Sequence, residues 1–385
     1  MKKYLAKTLF DGNELIENGA LVVDGKTVAY AGPAADCPDF PIECEETAEF
    51  LMPGLIDCHV HLASLHAPAE SPIEWAEATC EAITRLKELR SAGVVAARDL
   101  GSTGGLTIAI SKQQKQGKYA DLPLLISAGK ALTATGGHGY ELGLECDGPD
   151  SFLKGARQVI KEGADVVKVM MSGGVNSPGP EHGPAEVEQE EINAAVRAAH
   201  DRGRKVAVHA HGNTAIRRSV LAGVDSIEHG VFNSEDIIEL MLERGTSLVP
   251  TLSAPYYATV EGLRQDPDNP DHKKSQAVVT RHNAITLKAF EMGVPVSMGT
   301  DAGCPFNPFD NACFELVLLR NIGISAVDVL RIGTRNGAKL MNLNHLGVLE
   351  AGREASFLTL EKSPIDDMNN ICGPKKVYIK GERTV

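Results

Sequence analysis

From Gly54 onward the chain alternates short apolar runs with segments of helical period, eight times over. Parallel strands cannot be joined by tight turns, so this alternation implies βαβ units feeding a parallel sheet. The runs are Leu55 to Val60, Val94 to Asp99, Leu124 to Ala128, Val166 to Met170, Val206 to His209, Ser226 to His229, Ser247 to Pro250 and Pro295 to Met298. Helical stretches intervene. Glu188 to Asp201 repeats Ile192, Val196 and Ala199 on one face, and Ser234 to Glu243 opens on an Asn-Ser cap. Eight alternations over roughly 290 residues predict an α/β chain built on a (β/α)8 TIM barrel with insertions. A doubly wound open sheet is the second choice, but no G-x-G-x-x-G follows the first run.

The two ends read differently. Gly19 to Val23 and Thr27 to Tyr30 flank an Asp24-Gly25 turn, and Ser356 to Leu360 and Lys376 to Ile379 alternate with turns near the C-terminus. These segments predict one small, β-sandwich-like domain from residues 1–52 and 346–385, set on a barrel of residues 53–345. Two long polar connections, Gly129 to Asp150 and Ser172 to Ala185, follow strand ends, where the active-site loops of a barrel lie.

Composition narrows the class of partner. Fifty-one acidic against 38 basic side chains leave a net charge of -13, a field that repels phosphate backbones and anionic lipid. A small-molecule substrate is expected, with neither nucleic acid nor membrane as partner, and self-association is left open. The eight cysteines form no C-x-x-C pair and no dense framework, which fits free thiols in the cytoplasm. No run of apolar residues reaches membrane-spanning length, and Asp11, Asn13 and Glu14 interrupt any signal-like segment at the start.

Chemistry-bearing residues gather at the strand ends. His59 and His61 share one face of the first strand, because strand side chains alternate. An H-x-H pair alone is weak, but Lys168 lies near the end of the fourth run, His209 and His229 at the ends of the fifth and sixth, and Asp301 just after the eighth. In a barrel these ends meet at one mouth, so the set predicts a metal site. Lys168 lies within an apolar strand, where an ammonium is costly. One resolution is snorkelling to Glu162 or Asp165. Another is addition of carbon dioxide to the neutral amine, whose carbamate is able to bridge two metals about 3.5 to 4 Å apart.

Met52-Pro-Gly-Leu-Ile-Asp-Cys-His-Val-His61, Ala164 to Gly174, Val208-His-Ala-His-Gly212, Gly223 to Gly230 and Met298-Gly-Thr-Asp301 resemble the amidohydrolase superfamily, over nearly the whole chain. More narrowly they resemble its prolidase-like dipeptidases, which cleave Xaa-Pro or Xaa-Arg/Lys dipeptides. The resemblance implies a binuclear metallohydrolase in which His59, His61 and Asp301 hold one divalent ion, His209 and His229 the second, and carboxylated Lys168 bridges both. Zinc is the expected metal, with manganese and iron left open; imidazole plus carboxylate ligation suits it. Asp301 is then the expected general base, taking a proton from the attacking water and passing it to the leaving amine.

The resemblance also implies that His138, in Thr135-Gly-Gly-His-Gly139, meets the scissile carbonyl, and that Arg217, eight residues after His209, binds a substrate carboxylate. His211 stands where prolidase-like members often carry Tyr, and Ser356 where Asp is usual. Trp75 reads as core; Tyr256 and Tyr257 are undecided. The expected activity is hydrolysis of dipeptides or N-acyl amino acids. A cyclic-amide hydrolase of the dihydroorotase or hydantoinase type comes second, a deaminase third, and a non-catalytic scaffold last, since no expected ligand is missing.

Overall fold

The computed structural model describes residues 1–63, 71–141, 143–174 and 183–385. Four strands open the chain: β1 (Lys2–Phe10), β2 (Leu15–Asp24), β3 (Thr27–Pro33) and β4 (Cys44–Pro53). There follow β5 (Leu55–Val60), α1 (Pro72–Ser91), β6 (Val94–Asp99), α2 (Thr107–Lys115), β7 (Leu124–Ser127), the short β8 (Leu132–Thr133) and β9 (Leu144–Glu145), and α3 (Pro149–Glu162). Next come β10 (Val166–Met170), α4 (Gln189–His200), β11 (Lys205–Ala210), α5 (Asn213–Ala222), β12 (Ser226–His229), α6 (Glu235–Arg244) and β13 (Ser247–Val249). Helices α7 (Ser253–Gln265), α8 (Pro270–Glu291), α9 (Phe314–Asn321), α10 (Ala326–Arg331) and α11 (Gly337–Leu340) precede β14 (Phe357–Leu360), β15 (Lys375–Ile379) and β16 (Glu382–Arg383).

Both chain ends enter a seven-stranded sheet of order β16-β15-β14-β4-β1-β2-β3, in which β1 and β4 run parallel and the other neighbours antiparallel. Aromatic burial holds it: Phe357 stacks on Tyr378 at 4.3 Å, and Tyr4 meets both edge-on at 4.9 and 5.1 Å. β4 runs on through Gly54 into β5, which carries the sheet directly into the parallel layer. A Cβ on Gly54 would come within 2.2 Å of the Val95 side chain, so only glycine fits that junction.

The middle of the chain makes two parallel sheets, β5-β6-β7 and β13-β12-β11-β10-β8-β9. Seven of the eight expected strands form, four of them with the boundaries read from the sequence. The eighth, Pro295 to Met298, forms an isolated parallel bridge instead, Val296 with Leu248 of β13, and the segment just after it forms another, Ala302 with Val60 of β5. The reason is chemical. The Thr300 N–H donates to the Asp57 carboxylate (3.1 Å) and the Met298 N–H to the Ile332 carbonyl (3.2 Å), so neither feeds a regular ladder. Elsewhere the Asp165 N–H donates to the Ser127 carbonyl (2.7 Å), tying β7 to the entry of β10.

Of the two long connections, Gly129 to Asp150 is not wholly irregular but contains the short strands β8 and β9, and its Leu142 lies outside the described residues. Ser172 to Ala185 is closed at its base by a bridge between those two residues, and 175–182 lie outside the described residues.

Candidate metal centre

The site begins with proton bookkeeping around His59 and His61. His59 Nδ1 lies 2.9 Å from Glu228 Oε2, and His61 Nδ1 lies 2.7 Å from the Gly101 carbonyl oxygen. Burial opposes the charge of Glu228, but Arg98 and His59 overcome it and hold the carboxyl at about 2. Glu228 is therefore a carboxylate, and both Nδ1 atoms are donors. Burial, with Lys168 nearby, brings His59 down to about 4, so the ring is neutral and its Nε2 is a lone pair. That atom faces His61 Nε2 across 3.3 Å.

Asp301 completes the cluster. Its Oδ1 lies 3.5 Å from His59 Nε2 and 3.3 Å from His61 Nε2, is fully buried, and among the described residues receives no hydrogen bond of ordinary geometry. Burial disfavours its charge, yet the two histidines keep the carboxyl below the usual carboxylate range. Burial likewise opposes a proton on His61, but Asp301 outweighs it and raises His61 above the ordinary imidazole range.

His229 enters from the end of β12. Its Nδ1 meets Thr251 Oγ1 at 2.7 Å, and Thr251 gives its own proton to the Pro250 carbonyl at 2.6 Å, so Nδ1 is the donor and Nε2 the free base. Ligand atoms of His59, His229 and Asp301 lie within 4.8 Å of one another. Buried acceptors converging without protons between them suit a divalent cation. His229, Thr251 and Asp301 have φ of 70°, 56° and 59°, a left-handed backbone that costs non-glycine residues energy and recurs at functional sites.

His209 packs beside this cluster, 4.7 Å from the His229 ring, with Nε2 3.5 Å from the Gly173 carbonyl. His138 stacks on its other face at 4.4 Å, and His211 lies edge-on at 4.7 Å. Lys168 is 1% exposed, and among the described residues no hydrogen bond or ion pair reaches its Nζ. Burial lowers it to about 8, with Glu228 and Asp301 pulling the other way. The snorkelling alternative is thereby corrected, since Asp165 is paired with Lys115 and the Glu162 carbonyl with Lys112.

His59, His61, His138, Lys168, His209, His211, His229 and Asp301 all line one cavity of about 840 Å³. The structure does not bring Arg217 there. Its side chain is 46% exposed on α5 and pairs with Asp236, because α5 turns that position to solvent. Trp75 packs against the core, Tyr256 and Tyr257 pack on Phe314, and Ser356 caps its neighbour Glu354 in the small sheet.

Sequence reasoning missed the supporting residues. Arg98 and Glu228, 2% and 0% exposed, form an ion pair inside the parallel layer at 2.9 Å, with Ser226 Oγ also on Glu228. Asp57 fixes His59 by accepting its N–H at 3.1 Å, and the Thr300 hydroxyl at 2.7 Å. The available signal was charge inside apolar strands: Glu228 in Ser-Ile-Glu-His and Arg98 in Val-Val-Ala-Ala-Arg-Asp.

The amidohydrolase family profile matches residues 50–384. The chain belongs to the amidohydrolase family. A solved Xaa-Pro dipeptidase with methionine bound in its active site is similar to this amidohydrolase with a TM-score of 0.88, at 29% identity over 99% of both chains. An ochratoxinase of Aspergillus niger is 28% identical over 94% of this chain and 82% of its own, and its crystal structure superposes with a TM-score of 0.86. An imidazolonepropionase of Rhizorhabdus wittichii is 27% identical over 92% of this chain and 90% of its own. The likeness to an Xaa-Pro dipeptidase agrees with the resemblance to prolidase-like members, and membership of the amidohydrolase family implies a TIM barrel with a small domain.

Proposed function

We propose that this amidohydrolase cleaves dipeptides or N-acyl amino acids, with His59, His61 and Asp301 holding one divalent metal, His209 and His229 a second, and a carbamate on Lys168 between them. The observation that supports the reading is the convergence of the His59, His229 and Asp301 ligand atoms within 4.8 Å, with Asp301 Oδ1 lacking a hydrogen bond among the described residues. The residues fit such ions by donor type, by burial, and by the outer partners that fix the tautomers of His59, His61 and His229. Bound zinc supplies Lewis acidity, polarising a carbonyl and making water nucleophilic near neutral pH. Asp301 accepts the proton of the attacking water at Oδ1 and returns it to the departing amine nitrogen. His138, drawn down to about 4 by burial and by Lys168, is neutral and positions the scissile carbonyl by donating a ring N–H. Its neighbours keep the approach open: a Cβ on Gly174 would stand 2.8 Å from the His138 ring.

The proposal takes residues 53–345 as a closed (β/α)8 barrel and residues 1–52 with 346–385 as the composite β domain. It also places the protein in the cytoplasm, supported by eight free cysteines. No helix among the described residues is long and apolar enough to cross a membrane. The test is elemental analysis after expression with added zinc and bicarbonate, followed by a screen of dipeptides and N-acyl amino acids for amine release. Less than one metal per chain, or no amine from any compound, rejects the reading.

Cyclic-amide hydrolysis is the second reading. It is favoured by the likeness to an imidazolonepropionase and by the placement of Arg217, which leaves the expected carboxylate contact unfilled. Ring opening of hydantoins or dihydropyrimidines without activity on dipeptides would select it.

A further inference from the structure

His282, in α8, is 1% exposed and lines the same cavity as the ligand histidines. Its ring Nε2 lies 3.0 Å from the carbonyl oxygen of His229. A carbonyl only accepts, so Nε2 carries the hydrogen and donates it. His282 is thus tied to the backbone of a candidate ligand, while Thr251 holds that ligand's ring. The other nitrogen of His282, Nδ1, is buried and among the described residues makes no hydrogen bond of ordinary geometry. Burying an imidazole in this way costs free energy that an apolar side chain of similar size does not incur. What the histidine adds in return is its N–H on His229.

The backbone at that point needs such a tie. His229 and Gly230 have φ of 70° and 66°, two consecutive left-handed residues that swing the chain off the end of β12. Glycine adopts this conformation freely, whereas a histidine is held in it only by its surroundings. On one side of the turn the Gly230 N–H returns to the Ala210 and Glu228 carbonyls at 3.1 and 3.0 Å. His282 supplies the other side. With the backbone held by His282 and Nδ1 held by Thr251, the Nε2 lone pair of His229 is left a single direction.

We propose that His282 is a positioning residue for the metal centre: by donating its Nε2–H to the His229 carbonyl it holds the left-handed backbone that aims His229 Nε2 at the cation. The assignment rests on the reading of His229 as a metal ligand. Val278, one turn earlier in α8, also lines the cavity, so a single helix sets the ligand and borders the space for substrate.

The test compares His282→Gln with His282→Met in the full-length, zinc-loaded protein. The two side chains are alike in length and shape, but glutamine offers an amide N–H where Nε2 stands and methionine offers none. Zinc affinity is read by competition with a chelator, and metal per chain by elemental analysis at fixed free zinc. His282→Met should bind zinc about 10–100-fold more weakly, the scale for losing an outer partner of a ligand histidine, and hold less metal per chain, whereas His282→Gln should keep most of the wild-type affinity. Should His282→Met not fold, His282→Asn takes its place, an amide one methylene shorter whose N–H falls short of the carbonyl. Equal losses in the variants with and without the donor would make His282 a packing residue, and no loss in either would leave Thr251 sufficient; both results overturn the assignment. A wild type that itself binds no zinc rejects the metal reading, and this assignment with it, before any variant is compared.

Discussion

Glu228 shows how much of this site rests on residues that would touch neither metal nor substrate. Its two oxygens divide the work: Oε2 takes the proton of His59 Nδ1, and Oε1 neutralises Arg98. Glu228→Gln preserves shape but leaves a buried guanidinium short of its counter-charge and permits the wrong His59 tautomer. Breaking such a buried pair costs about 3–5 kcal/mol, and losing an outer partner of a ligand histidine weakens metal binding by about 10–100-fold. Titration of zinc against a competing chelator, beside thermal melts, checks both; unchanged affinity would leave Glu228 a purely structural residue. At Lys168 the sign of the pH effect is fixed by its lowered pKa. The neutral amine that adds carbon dioxide becomes more abundant as pH rises and saturates above about 8. Reactivation of metal-free protein by zinc and carbon dioxide, at constant dissolved gas, should therefore rise about tenfold per pH unit below that point and level off above it. Lys168→Ala should lose metal and turnover, with partial rescue by a short carboxylate.

Strands and loops contribute unequally to the cluster, and what was legible follows that division. His59, His61, Lys168, His209 and His229 could be read because each lies in or just beyond the last residues of an apolar run of fixed period, so element type and position came from one pattern. Asp301 could be placed too, yet its strand is replaced by bridges because the Asp57 carboxylate captures Thr300, an interaction joining positions 243 residues apart that no local period encodes. The Arg98–Glu228 pair, 130 residues apart, was hidden for the same reason. Spacing failed for Arg217 in another way: eight residues beyond His209 reaches α5, but whether a helical position faces the mouth depends on packing that spacing does not fix. Arg217→Met should consequently leave kcat/KM for a free dipeptide and for its amide nearly equal to wild type, since an exposed pair such as Arg217–Asp236 is worth about 0–1 kcal/mol. A loss confined to the free acid would restore the carboxylate role. Thr251, in the turn after β13, gives the complementary case. Thr251→Val strands the His229 Nδ1 proton at a cost of about 1–3 kcal/mol, whereas Thr251→Ser retains the acceptor, so metal content should fall in the first variant only.

For the molecule as a whole, the parallel layer gathers eight polar side chains around one cavity, and the seven-stranded sheet ties both chain ends to its first strand. Such convergence stores unfavourable electrostatics in the metal-free protein: buried histidine lone pairs face one another, and a carboxylate oxygen lacks a donor. Cations that bind the folded chain and not the unfolded one relieve this, adding about 4 kcal/mol of stability when free metal is a thousand times its Kd. Chelation should thus lower Tm by several degrees. Zinc alone should recover part of the loss, and zinc with bicarbonate the rest, because the carbamate adds ligand oxygens that the amine cannot supply. Lys168→Ala should respond to zinc weakly and to bicarbonate not at all, which separates the bridging role from general ion effects. Scanning calorimetry of the four states of each protein reads this directly, and a wild-type Tm indifferent to chelator would remove the binuclear centre from the account of the fold as well as from that of the activity.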